Sequence, residues 1–164
     1  MVLDDIYDTY VALIDTLNIV YQEYPEVIQL PSRQLLVVGP NGSHPHDCEQ
    51  VVVYVSSYYP GVPGNQEWMI ETCQGVHSAE MFVEVVREIK YPATTITRGT
   101  LSPAAFKPAD QETALAKEQL RDMQLLFETG KRISKSRLAS SKMSVAGSES
   151  GGYQSTTLQI VLQV

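Results

Sequence analysis

The strongest structural signal in the chain lies near its start and reads DDIYDTYVALIDTLNIVYQEY (residues 4–24). Asp4 and Asp5 fall in the first turn, where the helix dipole favours negative charge. Pro25 ends the pattern, because the residue before a proline is disfavoured in the α-helical region. We therefore predict an amphipathic helix from about Asp4 to Tyr24. Its apolar face recurs every three or four residues and comprises Leu3, Ile6, Tyr10, Leu13, Ile14, Leu17, Val20, Tyr21 and Tyr24.

The middle of the chain is typical of a β-sheet. Runs rich in β-branched and aromatic residues alternate with clusters of Pro, Gly and Asn, which break regular structure. The predicted strands are residues 34–38, 51–59, 67–73 and 79–91. A helix is an alternative for the last of these runs, but its Val and Ile content favours a strand. Because the turns between the runs are short, we expect a mainly antiparallel sheet.

The second half of the chain returns to helix. Residues 93–109 combine prolines with several threonines and predict an extended connection. A second helix should run from about Asp110 to Ile133, with Asp110 as its N-cap. The predicted buried face of that helix contains Ala116, Leu120, Met123, Leu126 and Phe127.

The last part of the sequence predicts a strand. Residues 134–150 are rich in Ser and Lys and predict a flexible basic segment, which Gly151-Gly152 closes. Residues 156–164 then alternate apolar and polar side chains, as a half-buried strand does. Together the elements predict an α+β fold in a single domain over residues 1–164, with the helices in one layer on one face of the sheet.

Length and composition fit a folded chain. The 164 residues are 43% hydrophobic and 19% charged, whereas disordered chains combine low hydrophobicity with high net charge. No apolar run approaches the ~20 residues that a membrane-spanning helix needs. The acidic start, MVLDDIYDTY, lacks the basic and apolar regions of a secretion signal. We therefore expect neither a membrane span nor export.

Charge is unevenly distributed along the chain. The formal net charge is −7, with 13 acids and 3 bases in residues 1–90 but 6 acids and 9 bases in residues 91–164. Affinity for nucleic acid relies on Lys and Arg, so an acidic chain is a poor general binder of nucleic acid. The two-signed distribution favours complementary surfaces, either between copies of the chain or toward different neighbours.

A basic run supplies the clearest candidate contact residues. Five positive charges occur between Glu128 and Glu149 with no acid among them: Lys131, Arg132, Lys135, Arg137 and Lys142. The first four are our candidate partner-contact residues, toward an acidic partner face. DNA phosphates are a weaker alternative, because the run lacks aromatic residues that stack on bases. A solvated helix end is the remaining alternative, since cations are also favoured there.

Metal and catalytic sites have weak support in the sequence. Zinc accepts six of the side chains present, but they lack the paired Cys-x-x-Cys spacing of strong zinc motifs: His44, His46, Asp47, Cys48, Cys73 and His77. A cysteine nucleophile with His77 as base is conceivable, yet no orienting group or oxyanion hole is evident. The Ser- and Gly-rich runs match neither a nucleophile elbow nor a phosphate loop. We expect no catalytic, cofactor-binding or metal site.

The two cysteines, Cys48 and Cys73, form a candidate thiol pair. They flank neighbouring predicted strands, so a cross-strand disulfide is geometrically reasonable. We favour two reduced thiols, because disulfides are rare in chains made in the cytosol.

Several segments resemble the tail-terminator (tail-completion) proteins of long-tailed, non-contractile bacteriophages, particularly the actinobacterial-phage branch. The resemblance spans the whole chain in element order. Its motifs are patterns of packing and turn residues, and the His- and Pro-containing loop before Asp47 and the long basic segment 131–150 depart from them. The segments that carry it are DCEQVVV (47–53), YPG (59–61), the lone Cys73, VEVVR (83–87), DMQLL (122–126) and GGY (151–153) with the alternating strand that follows.

The resemblance implies a structural virion protein without catalytic residues or cofactor. Such proteins form a ring, typically of six copies, at the head-proximal end of the tail tube. The implied partners are further copies of the chain, the major tail tube protein and the head-tail connector or stopper, with DNA only as the genome passing through the channel. Assembly in the host cytoplasm and a place in the tail and neck of the virion follow from this.

Two other functions stay open on the sequence alone. A head-closure (stopper) or other neck connector subunit shares small α+β folds and ring assembly, although the long N-terminal helix and integrated last strand favour a terminator. A small cysteine- or zinc-dependent enzyme would use Cys48, Cys73 and His77. Since fold-level analogy alone does not establish function, all three are expectations at this point.

Overall fold

A computed structural model of the chain describes residues 2–26, 28–38, 48–61, 77–89, 96–97, 100–101, 108–136, 143–150 and 152–164. Within those residues the fold has two helices and seven strands in the order α1 β1 β2 β3 β4 β5 α2 β6 β7. The helices are α1 (Val2–Glu23) and α2 (Pro108–Ser136). The strands are β1 (Gln34–Val38), β2 (Gln50–Pro60), β3 (His77–Glu88), β4 (Ile96–Thr97), β5 (Thr100–Leu101), β6 (Ser144–Ser150) and β7 (Tyr153–Gln163).

Five strands form one mixed sheet in the order β1-β2-β3-β7-β6. The β2–β3, β3–β7 and β6–β7 pairs are antiparallel, which confirms the prediction of a mainly antiparallel sheet. The first pair departs from that pattern, because β1 and β2 are parallel. The stretch between Val38 and Gln50 is long enough to return the chain to the start of the next strand, so the expectation of short turns fails there.

The predicted first helix is confirmed. Its apolar face packs on the sheet, with Leu13, Leu17, Val20 and Tyr21 all buried. Tyr24 is the exception among the predicted positions. It lies one residue beyond Glu23, the last residue of α1, and is exposed. Because the helix ends before Pro25, Tyr24 does not continue the buried face of the helix.

The core lies between the two helices and one face of the sheet. Alternate residues of the three central strands point to this face, as the two-residue period of a strand requires. Both helices contribute to the same cluster, so the α+β fold with helices on one sheet face is confirmed. The cluster contains Val51, Val53 and Val55 of β2, Met81, Val83 and Val85 of β3, Leu158, Ile160 and Leu162 of β7, and Leu125, Leu126 and Ile133 of α2.

The second helix buries a different face from the one predicted. Leu125, Leu126 and Ile133 are buried together with the polar residues Asp122 and Thr129. Of the predicted positions, Leu126 is buried and Met123 is half-buried, but Ala116, Leu120 and Phe127 are exposed. The prediction was wrong because apolar periodicity detects only a stripe of apolar side chains. On α2 the buried stripe also includes polar side chains whose hydrogen-bonding groups have partners inside the protein.

The predicted flexible segment 134–150 is also partly wrong. The second helix continues through Ser136, and Ser144–Ser150 forms β6, the edge strand that pairs with β7. Ser150 pairs with Tyr153, so a tight hairpin joins β6 to β7, with Gly152 in it at a φ of 83°. Such turns favour glycine because they require positive φ. Low strand propensity hid β6 in the sequence, and pairing with β7 overrides it.

The other predicted strands have different outcomes. The run 79–91 is a strand, β3, which settles the choice against a helix. The connection 93–109 contains a small hairpin of β4 and β5 and the first turn of α2. The predicted strand 67–73 lies outside the described residues.

Candidate assembly surface

Of the two candidate thiols, Cys48 lies within the described residues and Cys73 does not. Arg33 donates a hydrogen bond from Nη1 to the Sγ of Cys48 at 2.8 Å, and the thiol lies 3.9 Å from the Oε1 of Gln50. Cys73 lies outside the described residues, so the pairing of Cys48 and Cys73 stays a prediction.

The candidate zinc ligands are spread across described and undescribed parts in the same way. Of the six, only Cys48 and His77 are described, and the ring of His77 stacks on that of Tyr58 with centroids 5.3 Å apart. His44, His46, Asp47 and Cys73 lie outside the described residues. Among the residues that are described, no group of three metal-binding side chains occurs.

The basic run begins at the end of α2 and is partly engaged within the chain. The Nζ of Lys131 lies 3.1 Å from a carboxylate oxygen of Glu128. Arg132 donates to the same residue and also forms a two-pronged ion pair with Glu23 of α1, at 2.8 and 2.6 Å. Lys135 is exposed in the last turn of the helix, whereas Arg137 and Lys142 lie outside the described residues.

The ion pair of Arg132 with Glu23 joins the C-terminal ends of the two helices. Hydrogen bonds from Arg132 hold the pKa of Glu23 below its ordinary value, and those from Lys131 and Arg132 do the same for Glu128. The pKa of Arg132 is raised by the same hydrogen bonds. All these groups are open to solvent, where ion pairs add little stability. Arg132 therefore connects α2 to α1 within the chain. Lys131 and Lys135 are the more accessible cations of the run.

A buried polar cluster connects the helices to the sheet. Arg87 of β3 donates from Nε to Oδ2 of Asp122 at 2.6 Å and from Nη2 to Oδ1 at 2.9 Å. The hydroxyl of Tyr21 donates to Oδ1 of the same carboxylate at 2.6 Å. Arg87 also donates to the carbonyl oxygen of Gln29 at 2.8 Å. Four separate segments thus meet at one buried ion pair, Arg87 with Asp122.

The electrostatics of this cluster keep the Tyr21 hydroxyl and the Arg87 guanidinium protonated. Burial, followed by the charge of Asp122, raises the pKa of the Tyr21 hydroxyl far above its ordinary value, so it stays protonated and donates. Burial opposes the charge on Arg87, but its hydrogen bond and ion pair with Asp122 outweigh that and raise its pKa. The cluster holds the layers together, because every charge in it has a partner and buried charges are otherwise costly. Sequence reasoning missed it, since its members lie up to 101 positions apart.

A shallow apolar groove opens between α2 and β6. It has a volume of about 430 Å³ and is lined by Leu120, Met123, Gln124, Phe127 and Val145. Leu120 is 57% exposed and Phe127 is 48% exposed. Large apolar side chains that are exposed singly are normal, but a contiguous set around a groove is typical of a contact surface. We call this set the α2–β6 groove.

A second exposed apolar surface lies at the other end of the sheet. Leu36 and Val38 of β1 pair with Val53 and Val55, so they lie on the face that carries the helices. Val38 is 83% exposed. The first helix lies beside this edge, because the side-chain amide of Gln34 donates to that of Asn18 at 3.0 Å.

The sheet face that points away from the helices carries both apolar and acidic side chains. The carboxylate of Glu80 accepts hydrogen bonds at 2.6 Å from Ser56 and from Gln159. The ring of Tyr54 stacks on Phe82 with centroids 4.8 Å apart. Burial, and then the charges of Glu84 and Glu80, raise the pKa of the Tyr54 hydroxyl. This face adds acidic character to the part of the chain that carries most of the negative charge.

Exposed apolar side chains therefore lie at both edges of a sheet that is tied to the helices by a buried ionic cluster. No protein-family model matches the chain, and no curated protein is significantly similar to it. Within the described part, neither helix has the length and apolar character needed to cross a bilayer.

Proposed function

We propose that this chain is a structural virion protein that forms a ring at the head-proximal end of a phage tail tube. In that position it ends polymerisation of the tube and joins the tail to the head connector. Its partners are further copies of itself, the major tail tube protein and the connector or stopper protein. It has no catalytic role, and DNA meets it only as the genome that passes through the ring.

The observation that carries the proposal is the placement of two different apolar surfaces at opposite ends of one sheet. The α2–β6 groove lies at the β6 end, and Leu36 and Val38 lie at the β1 end. A ring built from one kind of chain needs head-to-tail contacts, in which two unlike surfaces of neighbouring copies meet and a rotation closes the circle. Surfaces on opposite sides of the protomer meet that requirement.

The fold supports the same proposal. The resemblance to tail terminators implies a long N-terminal helix, an antiparallel sheet, a second helix and a last strand within that sheet. The chain has these elements in this order, with β6 as a further strand before the last one and β1 parallel to β2, and β7 is a central strand with neighbours on both sides. The formal charge of −7 also suits a ring through which DNA passes, since an acidic surface does not hold phosphates.

Termination follows from the way such a ring presents its two faces. A tube grows because each new layer offers the binding surface for the next layer. A ring that binds the tube on one face and carries different groups on the other offers no such surface, so growth stops. The second face is then free for the head-side connector.

Localisation in purified virions tests the proposal. Virions of the phage that encodes the chain are incubated with an antibody raised against the chain, and immunogold particles are mapped by electron microscopy. We expect label at the junction of head and tail, with antibody against the tube protein as the control that labels the tail shaft. Label along the shaft, at the distal tip or nowhere on the particle would contradict a neck protein.

A further inference from the structure

The first helix carries an exposed stripe on the side opposite the core. Its members are Asp8, Val11, Asp15 and Ile19, spaced by three and four residues, and we call them the α1 stripe. Side chains at this spacing share one helix face. Val11 is 36% exposed and Ile19 is 52% exposed. The charged members of the stripe are both acidic.

The second helix carries a stripe with the same layout and the opposite charge. It consists of Lys117, Leu120, Gln124, Phe127 and Lys131, again at spacings of three and four, and we call it the α2 stripe. Its apolar members line the α2–β6 groove. Its charged members are both basic.

The two stripes match in length, and an acid at one end of the first coincides with a lysine at one end of the second. At 1.5 Å per residue, Val11 and Ile19 are separated by about 12 Å along the axis, and Leu120 and Phe127 by about 10 Å. When these apolar pairs are set against each other, Asp8 falls beside a lysine at one end of the α2 stripe, and Asp15 falls beside Gln124. This correspondence holds for either relative direction of the helices.

We propose that the α1 stripe of one copy packs into the α2–β6 groove of the next copy. The inference rests on the proposed ring and assigns the contact at the groove to the α1 stripe, on the helix that lies beside the β1 edge of the sheet. A second copy is the occupant because the groove needs an apolar helix face flanked by acids, and α1 presents one. The stripes of a single chain cannot meet, since the opposite faces of both helices are buried on the sheet.

The existing ion pair of Lys131 does not block this contact. Its partner Glu128 is three residues away on the same helix, and the lysine side chain is 51% exposed. Exposed pairs of this kind contribute little. Lys131 can therefore approach Asp8 of a neighbour while it remains close to Glu128.

Sedimentation equilibrium over a wide concentration range tests the contact with two charge-reversed variants. The first is Asp8→Lys with Asp15→Lys, and the second is Lys117→Glu with Lys131→Glu. We expect the wild-type chain to form a closed oligomer, and each variant alone to fall to the monomer mass of 18.2 kDa. A one-to-one mixture of the variants should regain the oligomer, because each reversed stripe then faces its complement on a neighbour. A chain with all four substitutions should regain it as well.

Two results would overturn the contact. One is an unchanged oligomer in both reversed variants, which places the interface elsewhere. The other is a wild-type chain that stays at 18.2 kDa at every concentration. Glu26→Lys and Glu88→Lys, at exposed acids outside both stripes, are matched controls that should keep the wild-type mass. Far-UV circular dichroism checks that all variants are folded.

The virion labelling experiment distinguishes a failure of the α1–α2 contact from a failure of the proposed function. If label lies at the head–tail junction while the reversed variants assemble normally, the function stands and the α1–α2 contact is wrong. If the variants behave as expected but no label lies at the junction, the contact stands and the tail-terminator function is wrong.

Discussion

Arg87 and Asp122 are 35 positions apart in sequence and form a two-pronged ion pair inside the protein, with contacts of 2.6 and 2.9 Å. One residue belongs to the central strand β3, and the other belongs to α2. Tyr21 of α1 donates to the same carboxylate at 2.6 Å. Asp122 is thus the point where both helices and the sheet are held in one arrangement, and the surfaces proposed for assembly depend on that arrangement.

Replacing Asp122 with alanine should strongly destabilise the fold. The substitution leaves Arg87 buried without its carboxylate, and removing one partner of a buried ion pair typically costs about 3–5 kcal/mol. Urea denaturation followed by circular dichroism measures the change in the free energy of unfolding. Glu26→Ala, at an exposed position just after α1 and outside both stripes, is the control and should change it by less than about 0.5 kcal/mol. Equal effects for the two variants would contradict a central role for Asp122.

Replacing Tyr21 with phenylalanine should have a smaller effect. It removes one hydrogen bond to a buried carboxylate but keeps the ring in the core, and hydrogen bonds to charged groups contribute about 1.5–3 kcal/mol. The same denaturation experiment applies. Tyr7→Phe, at an exposed ring of the same helix, should be nearly neutral. A neutral Tyr21→Phe would mean that the hydroxyl does not stabilise Asp122.

The pair of Glu23 with Arg132 should make a small contribution to stability that depends on pH. Because the pKa of Glu23 is lower in the folded chain than its ordinary value of 4.5, the contribution is full above that pH. It is lost as pH falls through the lowered value. Arg132→Gln should return the pKa of Glu23 toward 4.5, as a side-chain NMR titration would record. High salt should shrink the difference, and an identical pKa in both chains would contradict the pairing.

Replacing Gly152 with alanine should weaken the β6–β7 hairpin. Gly152 has a φ of 83°, a conformation that an L side chain adopts at a cost of about 1 kcal/mol. Gly152→Asn should cost less, since asparagine tolerates this region better. Thermal unfolding compares the two variants with the wild type. If alanine were as stable as asparagine, the turn would not require the positive φ.

The sequence was sufficient to predict elements whose side chains follow one clear period. The first helix and strand β7 show the period of their own geometry, strands β2 and β3 have the β-branched composition of strands, and the structure confirms all four. The exposed positions Val11 and Ile19 were likewise absent from the predicted buried face of α1. Where local pattern and burial agree, sequence reasoning succeeds.

Failures came where contacts distant in sequence override the local pattern. The buried face of α2 is set by Asp122 and Thr129, whose burial depends on partners that periodicity cannot reveal. Strand β6 has the composition of a loop and is a strand because β7 pairs with it. The acceptor role of Asp122 had no signal in the sequence, since Tyr21 and Arg87 lie far from it along the chain. The α2–β6 groove was missed for the same reason, because its apolar residues had been assigned to the core.

Electron microscopy of lysates from infections in which the gene for this chain is silenced tests the proposed tail-terminator function. We expect overlong tails of variable length beside unattached, filled heads, because nothing then stops the tube or joins it to the head. Infection with expression restored is the control and should return tails to uniform length. Normal-length tails beside leaking heads would point to a head-side stopper instead, and normal particles would contradict any role in the neck.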